Sequence, residues 1–261
     1  MGYARYWEPS WLDISRVELK LDRPPHQSPL RLLHLSDLHA GQYVSLGYIA
    51  KAIRAGLDLA PDLICVTGDF VTGQYDQLDR YAELLSALPK QAPTFACLGN
   101  HDGGDWSANH GGYSTMREVA GLLKSSRVEL LDNTTRSLTL RDWHLQLTGT
   151  SDLWADDAEP RQAFAHAEPS PDSVKILLAH NPDTKGRVHS CAWDLMLSGH
   201  THGGQFRIPF LGPPFAPVRD KRFIHGLHRW ENRWLHITKG VGNLYGVRFN
   251  CRPEISLLTL I

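Results

Sequence analysis

The amino-acid sequence predicts an α/β fold built on two β-sheets. In the first half, apolar strand-like segments alternate with segments whose apolar residues recur at helical spacing, which is typical of a parallel or mixed sheet covered by helices. In the second half, short strand-like segments follow one another with few helical patterns between them. This change of rhythm predicts a second sheet that is partly antiparallel.

Each element of the first half has its own signal. Three buried strands are predicted, at residues 31–37, 62–69 and 94–100. The first helix begins after Ser45, which can cap it, and ends before Pro61, which cannot continue it. Leucine and tyrosine residues between 78 and 88 recur at helical spacing and predict one further helix.

The second half contributes strands in close succession. They are predicted at residues 137–140, 143–148, 175–179, 194–197, 223–229, 234–238 and 255–260. A chain of 261 residues is long enough for one domain with a large core. We therefore expect a single domain over residues 1–261, in which residues 1–29 form an N-terminal strap and the first strand.

The composition narrows the classes of function. The 27 Lys and Arg residues against 28 Asp and Glu give a net charge of −1, so no basic field favours a nucleic-acid partner. The four cysteines lack C-x-x-C spacing and fit small buried residues in a reducing compartment, which predicts a cytoplasmic protein. The aromatic residues Tyr3, Tyr6, Trp7 and Trp11 leave two alternatives open, a strap packed on the domain or a contact with a membrane surface.

Polar side chains follow the apolar strands at five places. They are Asp37 with His39, Asp69, Asn100 with His101 and Asp102, His180, and His200 with His202. Because ligands of open α/β sheets bind outside the carboxyl ends of strands, these side chains should converge. Nitrogen and carboxylate ligands without cysteine suit Zn, Mn or Fe, so we predict a site for two divalent metal ions. Gly68, Gly99 and Gly199 would let the backbone turn sharply beside the ions.

These motifs resemble a known superfamily in their order and spacing. D-x-H at Asp37, G-D at Asp69, G-N-H-D at Asn100, a lone histidine at His180 and G-H-T-H at His200 resemble the calcineurin-like metallophosphoesterases over nearly the whole chain. The longer GHTHGGQ motif, HNPD around His180 and residues 248–260 also resemble a bacterial branch of membrane-associated phosphodiesterases related to UDP-2,3-diacylglucosamine pyrophosphatases. The resemblance implies a four-layer αββα sandwich, in which two mixed β-sheets are flanked by helices and the metal site lies at the carboxyl ends of the strands.

The resemblance also implies a role for each motif residue. The first metal would be held by Asp37, His39 and His202, the second by Asn100, His180 and His200, and both by the bridging Asp69. The two ions would share a hydroxide that attacks phosphorus in line with the leaving group. His101 would stabilise phosphate charge or protonate the leaving oxygen, and Asp102 would either orient His101 or hold the local turn.

The function implied is that of a metal-dependent phosphoric ester hydrolase. The main expectation is a phosphodiesterase with a small or lipid-linked phosphoester substrate. Two alternatives stay open: a UDP-2,3-diacylglucosamine pyrophosphatase of lipid A synthesis, and a non-catalytic binding scaffold with the same fold. A peripheral position at the inner membrane is the alternative to a purely cytoplasmic one.

Several polar residues near the motifs have two interpretations. Gln205 and Arg222 are candidate substrate-binding residues. Arg219 and Lys221, together with Arg222, either hold a distal phosphate or form a solvated charge cluster. Asp152 either supports the metal ligands or caps a loop.

Two further features lie next to the motifs without belonging to them. His34 lies inside the first predicted strand, and we expect a hydrogen-bonded core histidine there rather than a ligand. The apolar, proline-rich segment 206–218 follows His202 directly. It either forms an apolar wall for a lipid chain or a membrane surface, or packs as a cap on the second sheet.

Overall fold

The computed structural model describes residues 2–21, 28–154, 159–165, 167 and 172–261, and within them two six-stranded sheets. The strands are β1 (Asp13–Leu19), β2 (Leu30–Leu35), β3 (Leu63–Thr67), β4 (Thr94–Cys97), β5 (Glu129–Leu130), β6 (Thr134–Leu140), β7 (Trp143–Gly149), β8 (Val174–Leu178), β9 (Leu195–Ser198), β10 (Gly226–Trp230), β11 (Arg233–Ile237) and β12 (Glu254–Leu260). The helices are α1 (Leu46–Leu57), α2 (Leu78–Leu85), α3 (Ala87–Gln91), α4 (Asp105–Asn109), α5 (Arg117–Ser126) and α6 (Thr184–Arg187).

Both sheets are mixed, as the sequence predicts. The first has the order β1-β12-β2-β3-β4-β5, with β12 parallel to β1 and antiparallel to β2, and parallel pairing from β2 onwards. The second has the order β10-β11-β9-β8-β7-β6, with a parallel centre and an antiparallel pair at each edge. The carboxyl ends of β2, β3 and β4 therefore lie at one edge of the first sheet, and those of β8 and β9 at one edge of the second.

The layers confirm the predicted αββα sandwich. The two sheets share an apolar core that includes Leu32, Leu63 and Phe95 from the first and Leu147, Ile176 and Leu197 from the second. Helices α1, α2 and α5 pack their buried apolar residues on the outer face of the first sheet. Among the described residues, the outer layer of the second sheet contains α6, the 3-10 turn Pro160–Phe164 and loop residues such as Trp193 and Phe223.

The predicted helix boundaries are confirmed in one case and wrong in another. Ser45 caps α1, because its Oγ accepts the N–H of Tyr48 at 3.2 Å. The single helix predicted between residues 78 and 88 is two helices, α2 and α3. Pro89 has no N–H and is tolerated only in the first turn of a helix, so the chain must interrupt the helix and begin a new one just before it.

The N-terminal stretch packs on a late segment of the chain. Its π-helical turn Tyr3–Trp7 and 3-10 turn Glu8–Ser10 precede β1, while residues 22–27 of the predicted strap lie outside the described residues. The buried Glu8 carboxylate accepts the N–H groups of Asn250 and Cys251, and the Arg248 N–H donates to the Ala4 carbonyl at 2.9 Å. In the described part of the chain, no helix has both the length and the apolar character needed to cross a membrane.

Candidate metal centre and active site

The loops after β2, β3, β4, β8 and β9 bring the predicted ligands to one edge of the sandwich. Potential ligand atoms lie within 4.8 Å of one another in three groups, Asp37 with His39 and His202, His39 with Asp69 and His101, and Asp37 with Asp69 and His180. His200 Nδ1 and Asn100 Oδ1 lie 2.9 Å apart beside them. We call Asp37, His39, Asp69, Asn100, His180, His200 and His202 together the metal-ligand cluster.

The backbone of this cluster is strained in a consistent way. Five of its residues have left-handed φ angles, namely Asp37 (51°), His39 (49°), Asp69 (54°), His200 (66°) and His202 (50°). Few residues other than glycine adopt this conformation, and each case raises the free energy of the fold. Such strain persists where the surrounding structure enforces it, and it is concentrated at functional sites.

Glycines let neighbouring loops approach the two carboxylates closely. A Cβ atom at Gly99 would lie 2.3 Å from Asp69 Oδ1, and one at Gly199 would lie 2.2 Å from Asp37 Oδ2. Neither contact is possible for a side chain, so both positions need glycine for space. Of the three predicted glycines, Gly68 is the one with a positive φ, at 75°.

The two carboxylates are oriented by backbone donors and face the imidazoles. Asp37 accepts the His200 N–H at 3.1 Å, and its Oδ1 lies 3.5 Å from His202 Nε2. Asp69 Oδ1 accepts the His101 N–H at 2.9 Å. Its Oδ2 lies 3.1 Å from Nε2 of His180, a predicted ligand of the second metal, and 3.5 Å from Nε2 of His39, a predicted ligand of the first. This oxygen therefore lies between the two predicted ligand sets.

The nitrogen and oxygen atoms that face one another in the cluster suit divalent metal ions as ligands. His180 Nδ1 donates to the Thr67 carbonyl at 2.7 Å, so a neutral ring directs the lone pair of Nε2 towards the carboxylate oxygen of Asp69. Two acceptors at this distance repel one another unless a cation or a proton lies between them. His200 Nε2 is buried and has no hydrogen-bond partner among the described residues. Imidazole nitrogens with carboxylate oxygens are the ligands expected for Zn, Mn or Fe.

Burial and charge act in opposite directions within the cluster. Burial raises the pKa of Asp37 to about 6 and lowers the pKa values of His39 and His200 to about 3, because it disfavours the charged forms. Burial opposes charge on His180 and Asp69 as well. Their mutual attraction, together with that of neighbouring carboxylates and imidazoles, outweighs it, so the pKa of His180 lies well above its usual value and that of Asp69 well below.

His101 lies at the exposed side of the cluster with a fixed ring orientation. Its Nδ1 donates to the Thr72 carbonyl at 3.0 Å, which leaves Nε2 as the nitrogen that can exchange a proton with a bound molecule. The ring packs edge-on against His39 and Trp106, with centroids 4.8 and 4.7 Å away.

Asp102 faces the backbone rather than the His101 ring. Its carboxylate accepts the N–H groups of Asp69, Phe70 and Gly99 at 2.9, 2.7 and 2.9 Å. Burial raises its pKa to about 7, and the backbone donors oppose that shift. Asp102 therefore joins the loops that carry Asp69 and Asn100, which favours the second of the two roles considered for it.

Three other candidate residues form hydrogen bonds with residues outside the cluster. Both ends of the Gln205 amide bond the backbone of Leu244, at 2.8 and 3.0 Å. Arg222 binds Asp220 through Nε and Nη2, and its side chain is 78% exposed. Asp152 is buried and caps Trp154 N–H at 2.8 Å, as the loop-cap alternative expects.

Arg248 is a buried residue that sequence reasoning missed. Its guanidinium donates to the carbonyls of His202, Lys239, Gly242 and Cys251, and no part of the residue is exposed. The Gly242 N–H in turn donates to the Asp37 carbonyl at 2.6 Å. Arg248 thus ties together the loops of two predicted ligands, Asp37 and His202. The only signal in the sequence was its position in the segment 248–260.

Aromatic side chains border the cluster, and these were also missed. The Trp154 ring packs edge-on against His200 with centroids 4.5 Å apart, and it lies 5.5 Å from Trp106. Trp106 stacks on His110 at 4.1 Å. No periodicity identifies these residues, because they come from a short helix and two loops.

His34 lies outside the cluster, and the prediction of a hydrogen-bonded core histidine is confirmed. Its Nε2 bonds Thr67 Oγ1 at 2.8 Å, and its Nδ1 bonds His236 Nδ1 at 2.9 Å. Both rings are buried. We call these two residues the His34–His236 pair.

Comparisons with known proteins agree with this geometry. Residues 30–204 match the model of the family described as calcineurin-like phosphoesterase. The chain is 40% identical to phosphodiesterase YaeI of Escherichia coli (strain K12), over all of this chain and 92% of the relative. It is 28% identical to UDP-2,3-diacylglucosamine pyrophosphatase LpxG of Chlamydia trachomatis, over 98% of this chain and 91% of the relative.

A solved structure shares the fold at low sequence identity. The protein TT1561 of Thermus thermophilus superposes with a TM-score of 0.52 and 14% identity, over 82% of this chain and 91% of that chain. The family match covers well over half of the chain, and the 40% identity extends over its whole length. The chain therefore belongs to the calcineurin-like phosphoesterase family, whose members are metal-dependent hydrolases of phosphoric esters.

Proposed function

We propose that this protein is a phosphodiesterase that uses two divalent metal ions to hydrolyse a small or lipid-linked substrate. The observation that carries the proposal is the convergence, at one edge of the sandwich, of seven side chains that can act as metal ligands. Full-length similarity to a phosphodiesterase supports the same activity. A binding scaffold would not need five strained ligand residues, whose conformation raises the free energy of the fold.

The proposed ligand sets follow the two halves of the cluster. Asp37, His39 and His202 would hold the first metal, Asn100, His180 and His200 would hold the second, and Asp69 would contribute to both. The distances from Asp69 Oδ2 to His180 and His39, 3.1 and 3.5 Å, support the shared role. Mn, Zn and Fe all suit these ligands.

The ions would supply Lewis acidity and an activated water molecule, and the protein residues supply orientation and a proton. Asp37 and Asp69 accept backbone N–H groups of His200 and His101, so both carboxylates keep one orientation. His101 in its charged form donates from Nε2 to the leaving oxygen, while the Thr72 carbonyl retains the proton on Nδ1. Asp102 keeps the loops of Asp69 and Asn100 together during turnover.

A lipid-linked substrate is supported by exposed apolar side chains on the N-terminal turns, at residue 245 and in the segment after His202, which we call the aromatic surface. Its members are Tyr3, Tyr6, Trp7, Tyr245, Phe210, Leu211 and Phe215, all well exposed. The N-terminal turns and residues 245–250 are joined by hydrogen bonds, and Phe206 pairs with Phe249, so these segments are continuous. Exposed tyrosine, tryptophan and phenylalanine are typical of contact with a membrane interface, which supports a peripheral position at the inner membrane.

The direct test measures metal content and turnover on the same sample. Protein loaded with Mn should hold two ions by elemental analysis and hydrolyse bis(p-nitrophenyl) phosphate faster than p-nitrophenyl phosphate. Hydrolysis of UDP-2,3-diacylglucosamine in preference to diesters would favour the pyrophosphatase alternative, which the similarity to LpxG supports. Two bound ions without turnover on any ester would refute the enzyme proposal.

Membrane contact has a separate test. The protein should sediment with phosphatidylglycerol vesicles, and the double substitution Phe210→Ser, Leu211→Ser should reduce the bound fraction. Ile261→Ser changes an exposed apolar residue outside this surface and is the matched control. Equal binding by both variants would exclude the aromatic surface as the contact.

A further inference from the structure

A cavity of about 320 Å³ lies beside the metal-ligand cluster. Its lining includes Trp154, Asn181, Lys185, Arg187, Arg219 and Trp230. Its size is at the lower end of small-molecule sites, which is enough for one nucleotide and too small for a pair of acyl chains. The family roles already discussed use none of these residues.

The cavity shares a wall with the cluster. Trp154 lines the cavity, and its ring centroid lies 4.5 Å from that of His200. Asn181, another lining residue, follows the predicted ligand His180 directly. A molecule whose phosphoryl group lies at the cluster can therefore extend over Trp154 into the cavity.

The cavity carries an excess of positive charge. Lys185 is almost fully buried, with Nζ 3.5 Å from Asp183 Oδ1 and 4.5 Å from the centroid of the Phe223 ring, so its position is fixed. The other oxygen of Asp183 accepts the Arg219 N–H at 2.8 Å. Among the described residues, the guanidinium groups of Arg187 and Arg219 have no ion-pair partner. One carboxylate against three cations leaves a net positive charge that suits a phosphate.

Two tryptophan rings give the cavity flat apolar walls. Trp230 is held in a parallel stack on Trp193, with centroids 5.7 Å apart and an interplanar angle of 3°. Trp154 is held between His200 and Trp106 and keeps 38% of its surface exposed. Indole faces of fixed orientation suit a planar ring, because stacking then costs little side-chain entropy.

We propose that this cavity binds the nucleotide portion of the substrate. The base stacks on Trp154 or Trp230, and a phosphate lies between Lys185, Arg187 and Arg219. The inference rests on the proposed function, because it assigns a leaving-group subsite to that same active site. It restricts the substrate class to phosphodiesters in which a sugar hydroxyl of a nucleotide is esterified to the phosphorus at the cluster, while the nucleotide's own phosphate lies in the cavity.

The test is calorimetric titration of the metal-loaded full-length chain with AMP, adenosine and inorganic phosphate. AMP should bind more tightly than either of the other two. Trp154→Ala should weaken binding of AMP and adenosine by about tenfold but not that of phosphate, which the metal ions also bind. Arg187→Ala combined with Arg219→Ala should weaken AMP by about tenfold and leave adenosine unchanged.

Arg136→Ala is the matched control, because Arg136 is an exposed arginine on β6 that pairs with Glu129. It should change none of the three affinities. AMP binding no tighter than inorganic phosphate, or AMP binding unaffected by both sets of substitutions in folded protein, would overturn the inference. Arg187 and Arg219 are exposed, so their replacement should leave the melting temperature near that of the wild type.

The outcome for the cavity is separable from the outcome for the enzyme. Turnover of bis(p-nitrophenyl) phosphate by the wild type tests the proposed function without any nucleotide. Turnover with no selective AMP binding would reject the cavity assignment alone. Selective AMP binding with the expected variant pattern, but without turnover of any ester, would support the cavity and reject the phosphodiesterase.

Discussion

The metal-ligand cluster and the His34–His236 pair are both groups of buried histidines, and β2, which carries His34, leads directly into the loop of Asp37 and His39. His34 lies three residues before Asp37. In the cluster, carboxylate oxygens lie 3.1 to 3.5 Å from the Nε2 atoms of His180, His39 and His202. In the pair, the described partners are a hydroxyl group and the other imidazole.

The pKa of one cluster histidine reflects this difference. Burial opposes charge on His180, but attraction to Asp69, Asp37 and Asp152 together outweighs it and raises the pKa well above its usual value. Burial lowers the pKa of His236 to about 3, with no carboxylate to oppose it. Burial alone therefore does not identify a metal ligand. Close carboxylate oxygens set the cluster apart from the pair, and four predictions test that distinction.

The largest effect is expected from removing the shared carboxylate of the cluster. Asp69→Asn should abolish binding of both metal ions and lower turnover by roughly 10⁴-fold or more, because several kcal/mol of charge stabilisation are lost. Elemental analysis and diester hydrolysis measure the two effects. Asp79→Asn, an exposed aspartate in α2, is the control and should match the wild type. Two retained ions with normal turnover would contradict the shared role of Asp69 in the cluster.

His101→Ala should separate the proton donor from the metal ligands. Metal content should stay near two ions, while kcat falls by roughly 10²–10⁴-fold. The loss should be smaller for a nitrophenolate than for an alkoxide leaving group, because only the alkoxide needs a proton. Single-turnover rates on two diesters measure this, with the exposed His144→Ala as the control. Equal losses on both diesters would indicate electrostatic stabilisation instead.

Asp102→Asn should act on stability more than on chemistry. The amide loses the charge that accepts backbone N–H groups of Asp69, Phe70 and Gly99, so the free energy of unfolding should fall by about 3 kcal/mol. Urea unfolding measures the change, with Asp58→Asn at the surface as the control. If stability is unchanged and the turnover rate no longer depends on the leaving-group pKa, the role of Asp102 is to orient His101.

The smallest effect concerns the His34–His236 pair and pH. The folded pKa of His236 is about 3, against about 6.5 in an unfolded chain. Above pH 6.5 both states are neutral. As the pH falls below 6.5 the unfolded state gains a proton that the folded state does not, so stability is lost until the pH approaches 3. Between pH 6.5 and 5 this amounts to about 2 kcal/mol.

The substitution His236→Asn retains a polar group for His34 and removes this titration. Between pH 6.5 and 5 the wild type should therefore lose about 2 kcal/mol of unfolding free energy relative to the variant. Urea unfolding at both pH values measures this change. Contributions of the cluster cancel in the difference. A constant difference across the range would mean that His236 takes up a proton in the folded state as readily as in the unfolded state, which would contradict the lowered pKa.

The sequence was sufficient for features that depend on local signals. The strands β2, β3 and β4 were readable from apolar runs, and the start of α1 from Ser45. The convergence of the polar strand ends followed from the geometry of parallel sheets. The ligand roles assigned to these residues stay predictions until metal is measured.

The missed features depend on contacts between distant segments. Arg248 has no periodic neighbours, and its position is set by carbonyls of residues 202, 239, 242 and 251 that only the folded chain brings together. Trp154, in a loop, and Trp230, at the end of β10, line the same cavity although about 75 residues separate them in the sequence. Gln205 and Arg222 lie near the motifs in sequence, but the backbone of Leu244 holds Gln205 and the carboxylate of Asp220 holds Arg222.

The insertion of β12 between β1 and β2 has a consequence for biosynthesis. Strands β1 and β2 leave the ribosome early, but each hydrogen-bonds to β12, which is made more than 200 residues later. Until then, β1 has no sheet partner among the described strands and one edge of β2 is open. Unpaired strand edges favour aggregation, so a nascent chain of this protein should depend on chaperone protection until its last strand emerges.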